Sequence, residues 1–128
     1  MKNKLDKRIL IVDDDDVFLG LLNEKFTFEG FDVIKAVDGE EALDQIKINP
    51  NIDVILADLV MPRVDGVDLI KTIRENNNQT PFVILSNSNE IEDIDKIKKF
   101  PSTHYLLKSE LDLSELIKLV KNILNINE

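Results

Sequence analysis

The feature that most constrains this chain is an alternation, repeated five times, of short apolar runs with longer segments of helical spacing. Residues 9–12 are four consecutive aliphatics, the composition of a strand buried on both faces. Next, Phe18, Leu21, Leu22, Lys25 and Phe26 are expected on one face of a helix that Gly30 ends. Residues 31–37 predict a second strand, and 40–48 a helix with Ala42, Leu43 and Ile46 inward and Pro50 closing it. Residues 53–57 predict a third strand, 65–75 a helix carrying Val67, Ile70 and Ile73, and 81–85 a fourth strand. Ile91, Ile94 and Ile97 stripe a fourth helix before Pro101. Residues 105–107 predict a fifth strand, and Leu113, Leu116, Ile117, Val120 and Leu124 line a last helix. Strict alternation of this kind implies an α/β fold: a doubly wound, five-stranded parallel sheet with five helices and right-handed crossovers.

Length and charge narrow the function. At 128 residues and 43% hydrophobic content the chain suits one domain with a real core. Sixteen basic against 25 acidic side chains give a formal charge of −9, which argues against direct nucleic-acid binding. The absence of Cys excludes disulfides and thiolate metal sites and suits the cytoplasm. The polar residues 1–8 lead into only four apolar ones, too few for a signal peptide, and no stretch approaches membrane-spanning length.

In open parallel sheets, function gathers at the carboxyl ends of the strands. The first strand here runs into Asp13-Asp14-Asp15-Asp16, the third ends at Asp58, the fourth at Ser86-Asn87 and the fifth at Lys108. Helix capping is the plainer explanation of the Asp run and accounts for Asp15 and Asp16. It does not account for acidic side chains crowding the strand end beside Asp58, where like charges raise one another's pKa unless a cation is near. Hard oxygen ligands in that number suit Mg²⁺, which takes one or two carboxylates and keeps several waters. Singly, Asp58 reads as a turn residue near Pro62 and Asp65-Gly66, Ser86 as a loop hydroxyl and Lys108 as a surface lysine. Jointly they suit phosphoryl transfer to a carboxylate. Asp58 would attack phosphorus, Mg²⁺ would link Asp14, Asp58 and a phosphoryl oxygen, and Lys108 and Ser86 would donate to the other oxygens. Asp is already ionised at neutral pH, so no general base is needed and His104, the only histidine, has no required role.

Four segments carry a family resemblance. Ile9-Leu10-Ile11-Val12-Asp13-Asp14-Asp15 resembles the opening of a response-regulator receiver domain. Val54-Ile55-Leu56-Ala57-Asp58-Leu59-Val60-Met61-Pro62 with Asp65-Gly66 resembles its phosphorylation segment. Phe82-Val83-Ile84-Leu85-Ser86 and Tyr105-Leu106-Leu107-Lys108 resemble its last two motifs, in order. The resemblance spans about residues 8–124 and implies the flavodoxin-like strand order 2-1-3-4-5. It implies that Asp58 accepts a phosphoryl group from a sensor histidine kinase or phosphotransfer protein, without the chain being an enzyme in the ordinary sense. It implies that Asp14 contacts Mg²⁺ directly, Asp13 through water, and the Val60 carbonyl as a further ligand. Ser86 takes the hydroxyl position and Tyr105 that of the switch aromatic, which together reshape the face of the fourth helix, fifth strand and fifth helix. Dimerisation through that face is a further expectation. The charge gradient of the fourth helix, from Glu90, Glu92, Asp93 and Asp95 to Lys96, Lys98 and Lys99, fits either dimerisation or simple helix-dipole complementarity.

Some positions depart from the family pattern. Ser109 follows Lys108 where many receivers have Pro, often after a cis peptide, and Asn87 stands where a small residue is common. Pro101-Ser102-Thr103 replaces a frequent Gly-Ala segment. Val60 is apolar and cannot orient an attacking water, so slow loss of phosphate is expected. The rival reading is a non-phosphorylated pseudo-receiver that only docks proteins. A flavin or nucleotide binder is disfavoured by four Asp in the first loop and only four Gly in the chain. A haloacid-dehalogenase-like phosphatase would place its Asp nucleophile after the first strand. No output domain is recognisable, so residues 1–128 are expected to form a receiver alone.

Overall fold

The computed structural model describes residues 3–87 and 91–126, of Ile91 the backbone only. Five strands, β1 (Arg8–Val12), β2 (Asp32–Ala36), β3 (Val54–Asp58), β4 (Phe82–Ser86) and β5 (Thr103–Leu107), alternate with five helices. These are α1 (Asp16–Phe28), α2 (Gly39–Ile48), α3 (Gly66–Glu75), α4 (Ile91–Lys98) and α5 (Leu113–Ile123). Every strand pairing is parallel, in the order β2-β1-β3-β4-β5.

The period-two alternation of the strands divides the core. Leu10, Val12, Ile55, Ala57, Phe82 and Ile84 point to one face and meet Ala42 of α2, Leu69, Ile70 and Ile73 of α3 and Ile97 of α4. Ile9, Ile11, Val54, Leu56, Val83 and Leu85 point to the other and meet Leu19, Leu22 and Phe26 of α1 and Leu116, Ile117 and Val120 of α5. Covering both faces is what allows the central strands β1, β3 and β4 to be almost wholly apolar, and each fully buried Leu or Ile contributes about 1.5–3 kcal/mol relative to exposure. Helix starts are marked by aspartates: Asp15, Asp38, Asp65 and Asp112 each accept hydrogen bonds from first-turn N–H groups of α1, α2, α3 and α5. Gly30, at φ 103°, follows the end of α1, where a Cβ would lie 2.3 Å from the Asn3 carbonyl oxygen.

Several expectations shift. The inward row of α1 is Leu19, Leu22 and Phe26; Leu21 is 47% exposed, because it sits two residues and about 200° round from Leu19. β3 and β4 each run one residue further, to Asp58 and Ser86, and β5 begins at Thr103. α4 ends at Lys98, and a tightened turn follows, with Phe100 N–H donating to the Ile97 carbonyl at 3.1 Å. Lys108 follows the end of β5 at Leu107, as expected, and is the first residue of a 3₁₀ turn, Lys108–Glu110. No cis peptide occurs among the described residues, the Lys108–Ser109 bond included. Of the α4 charge gradient, Glu92, Asp93, Lys96 and Lys98 lie as expected, while Glu90 and the Ile91 side chain fall outside the described residues. No helix among the described residues is long and apolar enough to cross a membrane.

Candidate functional site

Sheet register builds the site. Val12 lies beside Ala57 and Asp58 beside Leu85, so the residues that follow these strands emerge at one level. Asp13 leaves β1 with its N–H bonded to the Ala36 carbonyl at 3.1 Å, and its side chain is 1% exposed. One Asp13 oxygen accepts from Asp15 N–H at 2.9 Å and the other from the Lys108 ammonium at 2.8 Å. The same ammonium stands 3.6 Å from a carboxylate oxygen of Asp58, a residue that is itself 8% exposed. Asp14 is exposed, yet one oxygen each from Asp13, Asp14 and Asp58 fall within 4.8 Å of one another. Asp15 is turned away as the α1 cap, accepting from Val17 N–H at 3.0 Å and Phe18 N–H at 3.2 Å. Ser86 is buried at the end of β4, and Tyr105 is half-buried on β5 against the core on the α3–α4 side.

Electrostatics set the character of this cluster. The Asp58 carboxyl is pushed up to about 6. Burial is the main cause; Lys108 and the Leu59 N–H pull downward, while the charges of Asp13 and Asp14 push further up. Burial by itself lowers the Lys108 pKa, but the Asp13 hydrogen bond and the charges of Asp13, Asp58 and Asp15 outweigh it, so the net shift is upward. Of the three clustered carboxylates, Asp13 and Asp58 share one ammonium, and the excess negative charge fits a small, hard, oxygen-seeking divalent cation.

The loop after Asp58 is held on both sides. Gly66 packs so closely that a Cβ would lie 2.9 Å from the Asp58 carbonyl oxygen, and its N–H bonds to the Leu59 carbonyl at 2.8 Å. Arg63, at φ 67°, reaches across to pair with Asp38, the α2 cap, donating through Nε at 3.0 Å. The Asp38 carboxyl is depressed by the Glu41 N–H first and by the Arg63 hydrogen bond next. Val60 lies between these anchors, 67% exposed.

The family model described as the response regulator receiver domain matches residues 9–121. The chain belongs to this family. It is 36% identical over 115 residues to the Regulator of RpoS from Escherichia coli, covering 89% of this chain and 34% of that protein. It thus spans about a third of that relative's length. Among solved structures, the Francisella response regulator 1452 receiver domain is 37% identical, with a TM-score of 0.83 over 92% of this chain and 96% of that one. A CheY-like receiver domain protein from Methanospirillum hungatei superposes with a TM-score of 0.86 at 25% identity, over 93% and 94% of the two chains. Receivers are phosphoacceptors rather than ordinary enzymes, generally bind Mg²⁺ at an acidic pocket, and interact with histidine kinases or phosphotransfer proteins.

Of the receiver residues expected from sequence, Asp13, Asp14, Asp58 and Lys108 come together within a few ångströms. Ser86 and Tyr105 lie on adjacent strands of the same sheet. Three contributors carried no sequence signal: Phe18 over Lys108, Arg63 on Asp38, and Gly66 under Asp58 as a close-packing rather than a turn residue. The first two depend on contacts between distant segments and the third on how the loop after β3 folds back, none of which spacing along the chain encodes.

Proposed function

We propose that this receiver accepts a phosphoryl group on Asp58 from the phosphohistidine of a sensor kinase or phosphotransfer protein. The observation that carries the reading is the Lys108 ammonium, poised 2.8 Å from Asp13 and 3.6 Å from Asp58 among three carboxylates. An Asp58 oxygen attacks phosphorus, the P–N bond breaks, and the departing imidazole takes up a proton from water. Lys108 donates to a phosphoryl oxygen, a charge-assisted bond, and the Ser86 hydroxyl donates to another. Asp13, Asp14, Asp58 and the Val60 carbonyl are the proposed holders of Mg²⁺, which supplies charge neutralisation and orientation when bound. Asp13, through its bond to Lys108, also keeps the ammonium charged and in place. Movement of Ser86 toward the phosphoryl group, followed inward by Tyr105, would reshape the α4–β5–α5 face, the proposed output and dimerisation surface. The whole chain is read as one such module with its core at about residues 8–124, working in the cytoplasm.

Intact-protein mass after incubation with acetyl phosphate and Mg²⁺ tests the reading. One phosphoryl group should appear on the wild type and none on Asp58→Asn. A folded wild type that gains no mass would return the protein to the docking-module reading. Val60 offers no polar group to orient water, so the phosphoryl form should persist, and Val60→Asn should shorten its half-life by the same mass assay.

A further inference from the structure

Lys108 reaches the site from a 3₁₀ turn on a flexible four-carbon stem, so its ammonium must be placed by what surrounds it. Two contacts are the acidic ones already described. A third is aromatic: the ammonium lies 4.3 Å from the centre of the Phe18 ring. Phe18 is well fixed for this task. Its N–H is bonded to the Asp15 cap at 3.2 Å, and its ring packs against the α1–α5 side of the core. The Lys108 side chain is only 10% exposed, and a cation–π attraction is stronger when water is excluded.

We propose that Phe18 is a positioning residue for phosphoryl transfer, its ring holding the Lys108 ammonium over the acidic pocket while its hydrogen bonds are exchanged. The inference rests on the reading of Asp58 as phosphoacceptor. Before transfer, the ammonium is committed to Asp13, and as the phosphoryl group arrives it must redirect a hydrogen bond toward the new oxygen. A hydrogen bond is directional and weakens steeply off axis. Attraction to the ring face comes from the quadrupole and tolerates a sideways shift, so the ring keeps hold of the cation throughout. An aliphatic side chain at position 18 would fill the same space without this hold.

Graded fluorination of the Phe18 ring weakens its quadrupole while nearly preserving its shape, and so separates the two roles. Phosphorylation by acetyl phosphate should slow progressively along the fluorinated series, with unfolding midpoints unchanged. Phe18→Leu should slow it by roughly fivefold, and Phe18→Tyr, which keeps a ring, should remain near the wild-type rate. In the metal-free protein, the Lys108 ε-protons should show an upfield ring-current shift in NMR that Phe18→Leu removes. A wild type that is phosphorylated at rates unmoved by fluorination would overturn the role of Phe18 alone. Absence of the ring-current shift would overturn the contact itself. A wild type that takes up no phosphoryl group would overturn both this inference and the reading of Asp58.

Discussion

Asp58 is held at an electrostatic disadvantage in the metal-free protein. Its pKa, raised to about 6 first by burial and then by Asp13 and Asp14, means that folding binds a proton more tightly than the unfolded chain does. Stability contributed by this group is therefore greatest below about pH 4, declines as pH rises toward 6, and stays diminished above it. The penalty at neutral pH is on the order of 2–3 kcal/mol. Asp58→Asn, which removes the charge, should thus stabilise the metal-free protein at about pH 7.5, and the gain should vanish near pH 4, as read by urea denaturation. The same charge suits the Asp13, Asp14 and Asp58 cluster to a divalent cation. A carboxyl raised by burial and by neighbouring charges is what the proposed role of Asp58 would require.

Between elements, two buried cations do the joining. Lys121 of α5 and Glu29 at the end of α1 form an ion pair at 3.0 Å, both side chains under a tenth exposed. Lys25 lies 3.7 Å from the other Glu29 oxygen. Removing Lys121 alone leaves a buried carboxylate with weaker compensation, so Lys121→Met should lower stability by about 3 kcal/mol. The double variant Glu29→Met with Lys121→Met should recover much of that loss, since an apolar pair of similar volume has no charge to desolvate; chemical denaturation of the cycle measures both. Arg74 of α3 works differently. Its guanidinium donates to the backbone carbonyls of Asn78, at 2.9 Å, and Pro101, at 3.0 Å, with burial lowering its pKa. It thereby ties the end of α3 to the turn before β5, where Pro101-Ser102-Thr103 departs from the family pattern. The planar fork satisfies several backbone acceptors at once, which a lysine there would not.

For the molecule as a whole, a formal charge of −9 concentrates partly at one edge of the sheet. Self-repulsion of this kind is relieved by screening, so NaCl should raise the unfolding temperature. Mg²⁺ should raise it further than NaCl of equal ionic strength, and Asp14→Asn should remove that excess, as followed by thermal denaturation. A chain of this kind is unusually legible. Four consecutive aliphatics before an Asp run, an apolar strand ending at Asp58 and a helix after each strand all follow from local periodicity, because burial on both faces demands apolar strands and a parallel sheet demands crossovers. The Asp15 cap of α1 was legible for the same local reason, while Asp16 proved to be the first residue of the helix itself. What the amino-acid order alone determined was therefore the succession of elements, their apolar faces and the polar residues at the strand ends. Register and side-chain direction were decided by the tertiary structure. It turned Leu21 outward and Leu19 inward, set Lys108 in a 3₁₀ turn, and brought Phe18 against it. Those outcomes depend on packing between segments tens of residues apart, where a rotation of one residue along a helix, about 100°, exchanges a core position for a solvent one.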